Sequence, residues 1–105
     1  MLRSATFRRV YDTGAKFSGP LFAAFCLLDG EAADSRIGFT VPRALGGSVV
    51  RNRIKRRLRS AVRSRLDRLA GGWLIVINPR RKCLDAPFTE LQREVERLFS
   101  RCASS

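Results

Sequence analysis

Apolar positions along this chain switch between two periods, and the switches mark out its elements. In "SATFRRVYDTG", Phe7, Val10 and Tyr11 fall at i, i+3 and i+4, one side of a helix. Ser4 stands where an N-cap belongs, and Gly14 where such a helix ends. "PLFAAFCLL" (Pro20–Leu28) is apolar throughout and reads as a well-buried strand. "DGEAADS" is a polar turn. "RIGFTVP" (Arg36–Pro42) alternates, with Ile37, Phe39 and Val41 facing a core and Gly38 and Thr40 forming a small, open face. After the loop "RALGG", Ser48 is placed to cap a long helix that runs to about Ala70, where Gly71-Gly72 stops it. "WLIVIN" (Trp73–Asn78) predicts a central strand buried on both faces. Beyond the basic loop "PRRKCLDAP" comes a last helix. Thr89 and Gln92 there have capping-box spacing, and Leu91, Val95, Leu98, Phe99 and Cys102 form an apolar stripe. The order is helix, two strands, long helix, strand, helix, with room for a third early strand just before Pro20 or within a longer first one. This predicts an α/β (α+β) sandwich, helices on a small sheet, as a single domain over residues 1–105.

The long helix sorts its residues by angle. At about 100° per residue, Val50, Ile54, Leu58, Ala61, Val62 and Leu69 share a stripe of about 120°. On the far side Asn52, Lys55, Arg56, Arg59 and Arg63 share a sector of about 100°, with Arg53 and Arg57 on another flank. No acidic residue occurs from Arg51 to Arg65. A merely solvated face interleaves Glu for i,i+4 pairing, because like charges at that spacing repel by a few tenths of a kcal/mol per pair. A face left uncompensated implies an external polyanion. Whole-chain charge sharpens this: 21 Lys+Arg against 9 Asp+Glu give +12, and residues 51–68 carry +8 of it.

Membrane binding fits poorly. A membrane-surface helix needs a free apolar face, often with aromatics; this one has none and is required by the sheet. No run approaches the roughly 18 apolar residues of a spanning helix, and the start lacks the apolar run of a signal peptide. A cytoplasmic protein is expected. DNA-binding helix-turn-helix or zinc-finger spacing is absent. Phe7, Tyr11 and Phe25 suit either stacking on unpaired bases or a core, and the residues alone leave both readings open. Catalysis by the chain itself is not expected. It has no His, and its acids are scattered, whereas a metal-dependent nuclease needs clustered carboxylates or His. Glu90, Glu94 and Arg97 read as surface pairing. Cys26, Cys83 and Cys102 lack metal-ligand spacing and read as small buried thiols in a reducing compartment.

"RIGFTVPRALGGSVVRNRIKRRLRSAVR" closely resembles the signature of the bacterial ribonuclease P protein family. The matching residues are Arg36-Ile37-Gly38 in the strand, then Arg51, Asn52, Arg53, Ile54, Lys55, Arg56 and Arg59. "FRRVYDTGAKF", "GGWLIVINP" and "FTELQREVERLF" resemble that family's first helix and turn, last strand and last helix, so the likeness spans most of the chain. The resemblance implies a four-stranded sheet with a left-handed βαβ crossover and three helices, in the order α-β-β-β-α-β-α. It implies one partner, the catalytic RNA of ribonuclease P, which holds the Mg²⁺ ions and cuts the 5′ leader from precursor tRNA. No membrane and no protein partner enters. Arg51, Asn52, Arg53, Lys55, Arg56, Arg59 and Arg63 would bind the RNA; Phe7, Tyr11, Phe25, Thr40 and Arg43 would line a cleft for the single-stranded leader; the protein would supply no catalytic group and no metal ligand. The chain departs from the family at Pro42-Arg43-Ala44, where Ser and two basic residues are usual, at Gly47, where Asn is frequent, and at Gly19-Pro20, where a polar-basic pair is common. A non-catalytic ribosomal-RNA-binding protein is the competing reading.

Overall fold

The computed structural model describes residues 4–28, 35–69 and 71–104, with the side chains of residues 4–7 and 103–104 outside that description. The expected turn at Asp29–Ser35 falls, Ser35 apart, outside the described residues. Three helices, α1 (Ser4–Thr13), α2 (Ser48–Arg65) and α3 (Phe88–Ser104), accompany four strands, β1 (Ala15–Ser18), β2 (Phe22–Leu28), β3 (Arg36–Phe39) and β4 (Trp73–Pro79). The third early strand is thus the short β1, which begins directly after α1.

The sheet order is β1-β2-β4-β3. β1 and β2 run antiparallel, as do β2 and β4, paired from Phe22↔Pro79 to Leu28↔Trp73. β3 lies parallel to β4, Ile37 opposite Ile75. Parallel neighbours need a crossover, and α2 is that connection. β4, between β2 and β3, is buried on both sides, which is why its sequence is continuously apolar. Its odd positions Trp73, Ile75 and Ile77 join Phe22, Ala24 and Cys26 of β2 beneath α2 and α3. Ile37 and Phe39 pack on the same side, as the alternation of β3 predicts. The predicted α3 stripe, Leu91, Val95, Leu98, Phe99 and Cys102, is wholly buried there. Leu74 and Val76 face the other way and meet Val10 of α1 in a second, smaller core.

α1 ends at Gly14, whose N–H donates to Val10 O at 2.8 Å. A Cβ at Gly14 would stand 2.4 Å from that oxygen and 2.8 Å from Cys26 O, so the tight passage into β1 requires glycine.

Four expectations are corrected. Ser48 does not cap α2: it is the first helical residue, Gly47 is the N-cap, and no side chain closes that end. α2 stops at Arg65 and tightens into a 3₁₀ turn at Leu66–Arg68, short of Ala70. The capping box is absent because α3 starts one residue earlier, at Phe88, and Gln92 Nε2 donates instead to Ser64 Oγ of α2 at 3.0 Å. Glu94 is not a surface pairing residue. It is 1% exposed, and its Oε2 accepts the backbone N–H groups of Leu21 (3.0 Å) and Phe22 (2.8 Å). These donors lie at the entry to β2, just before its first pair with β1 (Ser18↔Ala23), so one carboxylate satisfies both of them. Gly19 makes room: a Cβ there would sit 2.7 Å from the carboxylate carbon. Burial pushes the Glu94 carboxyl above its ordinary value, opposed by those two hydrogen bonds and by Arg97 and Arg80.

Candidate nucleic-acid interface

α2 meets the sheet through Ile54, Leu58, Ala61 and Val62, all buried, so its opposite side must face solvent. Asn52, Arg53, Arg56, Arg59 and Arg63 are exposed, and Arg51 and Lys55 are half-buried. Among the described residues, the ion pairs are Arg65–Glu96 and Arg68–Glu96. The six cationic side chains Arg51, Arg53, Lys55, Arg56, Arg59 and Arg63 therefore have no carboxylate partner among the described residues.

The remaining basic residues of the run are occupied. Arg57 donates through Nη1 to Cys83 O (2.7 Å) and Leu84 O (2.8 Å), and through Nη2 to Ala86 O. It thereby holds the loop that leads into α3. Arg65 and Arg68 clasp Glu96 and join the end of α2 to α3. The angle already separates the two groups. Counted from Val50 at about 100° per residue, Arg57 falls near −20° and Arg65 near 60°, against or inside the apolar stripe. Arg51 falls near 100°, at the stripe's edge, and its Nε is buried with no hydrogen-bond partner. The cationic face of α2 is thus narrower than the sequence run, and its charges are unneutralised.

On the other face of the sheet, beside α1, a group of aromatic and polar side chains comes together. Tyr11 and Phe25 are half-buried against the small core and meet edge to face, centroids 4.8 Å apart at 69°. The Tyr11 hydroxyl donates to Asn78 Oδ1 at 2.7 Å and lies 3.2 Å from Thr40 Oγ1. Lys16 Nζ stands 6.0 Å above the Phe25 ring. The structure thus brings Tyr11, Phe25 and Thr40 together. Phe7 lies on α1, and its side chain is outside the described residues. Arg43 is exposed in a 3₁₀ turn (Arg43–Leu45) beyond β3 and shares no hydrogen bond with the group. Asn78 and Lys16 also join this group. Asn78 carried a signal, as the one polar residue of "WLIVIN". Lys16 carried none, because its place follows from β1 pairing, Lys16 opposite Phe25.

Among the described residues no group of three or more His, Cys, Asp or Glu could hold a metal ion. A hard cation such as Mg²⁺ wants several oxygen ligands, so these side chains do not fit a protein-held ion. No helix among the described residues is long and apolar enough to cross a membrane.

Comparison with known proteins bears on this surface. A family model described as Ribonuclease P matches residues 1–103. A ribonuclease P protein component from Symbiobacterium thermophilum is 42% identical over 95 residues, covering 90% of this chain and 83% of that protein. One from Chloroflexus aurantiacus is 40% identical over 98 residues, covering 92% and 72%. The solved RNase P protein from Thermotoga maritima superposes with a TM-score of 0.84 at 26% identity, covering 95% of this chain and 94% of that one.

Proposed function

Because the chain belongs to the bacterial ribonuclease P protein family and is the protein subunit of that endoribonuclease, we propose that its α2 face grips the catalytic RNA while the aromatic group beside α1 holds the 5′ leader of precursor tRNA. One observation carries the reading: six cations of α2 have no carboxylate partner among the described residues, while Arg57, Arg65 and Arg68 of the same run are held by the chain itself.

Each phosphate that Arg53, Lys55, Arg56, Arg59 or Arg63 neutralises would release condensed counterions, the main source of affinity for a nucleic-acid backbone. Arg adds a planar fork that matches phosphate oxygens. Asn52 among them can both donate and accept toward a base edge or ribose. Beside α1, Tyr11 and Phe25 offer ring faces to unpaired bases. The hydroxyl bonds to Asn78 and Thr40 fix the Tyr11 ring, so ordering costs less when a base arrives. Lys16 and Arg43 would serve the leader backbone. Mg²⁺ and the cleavage chemistry belong, on this reading, to the RNA; the protein binds, orients and screens charge.

The test compares RNA partners directly. The protein should bind a bacterial ribonuclease P RNA more tightly than ribosomal RNA fragments of equal length at the same salt. The resulting complex should favour precursor tRNA with a long leader over mature tRNA. Equal affinity for ribosomal RNA, with no leader preference, would favour the competing role in ribosomal-RNA binding.

A further inference from the structure

Two of the three cysteines sit together at the end of the sheet remote from Glu94. Cys26, on the core side of β2, and Cys102, in the last turn of α3, belong to the same buried cluster. Each thiol's hold on its proton is set first by the other, which makes them close neighbours. Both also line a pocket of about 320 Å³ whose walls include Phe17, Leu28 and Trp73. Its rim carries exposed Lys16 and Arg101. A small molecule entering past these cations meets a wall formed in part by both cysteines.

We propose that Cys26 and Cys102 form a modification site for a low-molecular-weight disulfide, which oxidises the pair to an intramolecular disulfide joining β2 to α3. The neighbouring Cys26 holds the Cys102 thiol below its ordinary value and itself stays protonated, so Cys102 is the first nucleophile. Its thiolate attacks the incoming disulfide RS–SR. The S–S bond breaks, RS⁻ leaves and takes a proton, and Cys102 carries a mixed disulfide. Cys26 then gives up its proton and attacks Cys102 Sγ, expelling the second RS⁻. Two protein thiols lose two electrons and two protons, and one RS–SR becomes two RSH. Sulfurs in one buried cluster and on one pocket wall can close to the bonded separation of about 2.05 Å without rearranging the fold. Cys83 is the internal contrast. It donates to Leu21 O at 2.9 Å, burial pushes its thiol up to about 11, and it lies outside the pocket lining.

The experiment uses the native full chain and 2-hydroxyethyl disulfide. After reaction, unfolding and alkylation, the wild type should lose two of its three alkylatable thiols and two hydrogens of mass, and reductant should restore both. Peptide mapping should join the β2 peptide to the α3 peptide. Cys83→Ser should behave as wild type. Cys26→Ser should stop at one adduct on Cys102, and Cys102→Ser should leave Cys26 unmodified. The mapping needs no variant, so it stands even where a substitution impairs folding. A native wild type that keeps three alkylatable thiols, a cross-link that includes Cys83, or adducts on Cys26 alone would overturn the proposal.

Discussion

At the residue scale, neighbouring arginines of one helix have opposite jobs. Arg59 is exposed and has no carboxylate partner among the described residues, whereas Arg57 donates to three backbone carbonyls of the loop before α3. Arg59→Ala should lower the log–log salt dependence of RNA binding by about 0.7–0.9, the value of one phosphate contact, and leave stability nearly unchanged. Arg57→Ala should do the reverse. It strands three part-buried acceptors and should cost about 1–3 kcal/mol in urea unfolding, with the salt slope of the folded protein intact. Glu94 makes a second residue-scale prediction. Its carboxyl is raised in the folded state, so the folded protein holds that proton more tightly than the unfolded chain does, and stability falls as pH rises from about the ordinary carboxylate value through the folded one. Glu94→Gln keeps an acceptor oxygen for Leu21 and Phe22 and removes the titration. Measured by denaturation at a series of pH values, the stability of wild type relative to Glu94→Gln should decline with rising pH above about 4.5. A constant difference would mean that Glu94 does not titrate differently on folding.

At the element scale, α2 serves two surfaces at once. Its apolar side fixes it to the sheet, and its far end is tied to α3 by Glu96, which takes both Arg65 and Arg68. Leu58→Ala should destabilise by about 2–5 kcal/mol, because the buried side chain leaves a cavity under the helix. Phe25→Ala should spare binding to the catalytic RNA and weaken precursor tRNA with long leaders more than mature tRNA; equal loss for both would assign the ring to the core alone. Most elements were legible because period and length decide them: continuous apolarity for β4, a 3.6 period for α2 and α3. What escaped depends on partners remote in sequence. The two donors that bury Glu94 lie more than seventy residues away, and Gln92 gives its amide to Ser64 rather than to its own helix end. No local spacing reports either contact. β1 was left open because four residues, one of them buried, carry too short a pattern. The residues proposed to face RNA are legible as a charged run, but the run overstates them, and only angle with contact separates structural arginines from those without an ion pair among the described residues.

At the scale of the whole molecule, the sheet separates the two surfaces to which the proposed functions are assigned. α2 and α3 cover one face, α1 covers part of the other, and Tyr11 and Phe25 pack on the small core beneath α1, on the side opposite α2. A protein so arranged can hold a large RNA on one side and a single strand on another, while contributing no reacting group. Reconstitution with a bacterial ribonuclease P RNA tests this most directly, scored by removal of the precursor-tRNA leader at low Mg²⁺. The protein alone should cleave nothing, the RNA alone should be nearly inactive at that Mg²⁺, and together they should release the leader, with the Arg56→Ala, Arg59→Ala double variant needing more Mg²⁺. Cleavage by the protein without RNA, or a folded protein that leaves the RNA's Mg²⁺ requirement unchanged, would contradict the account.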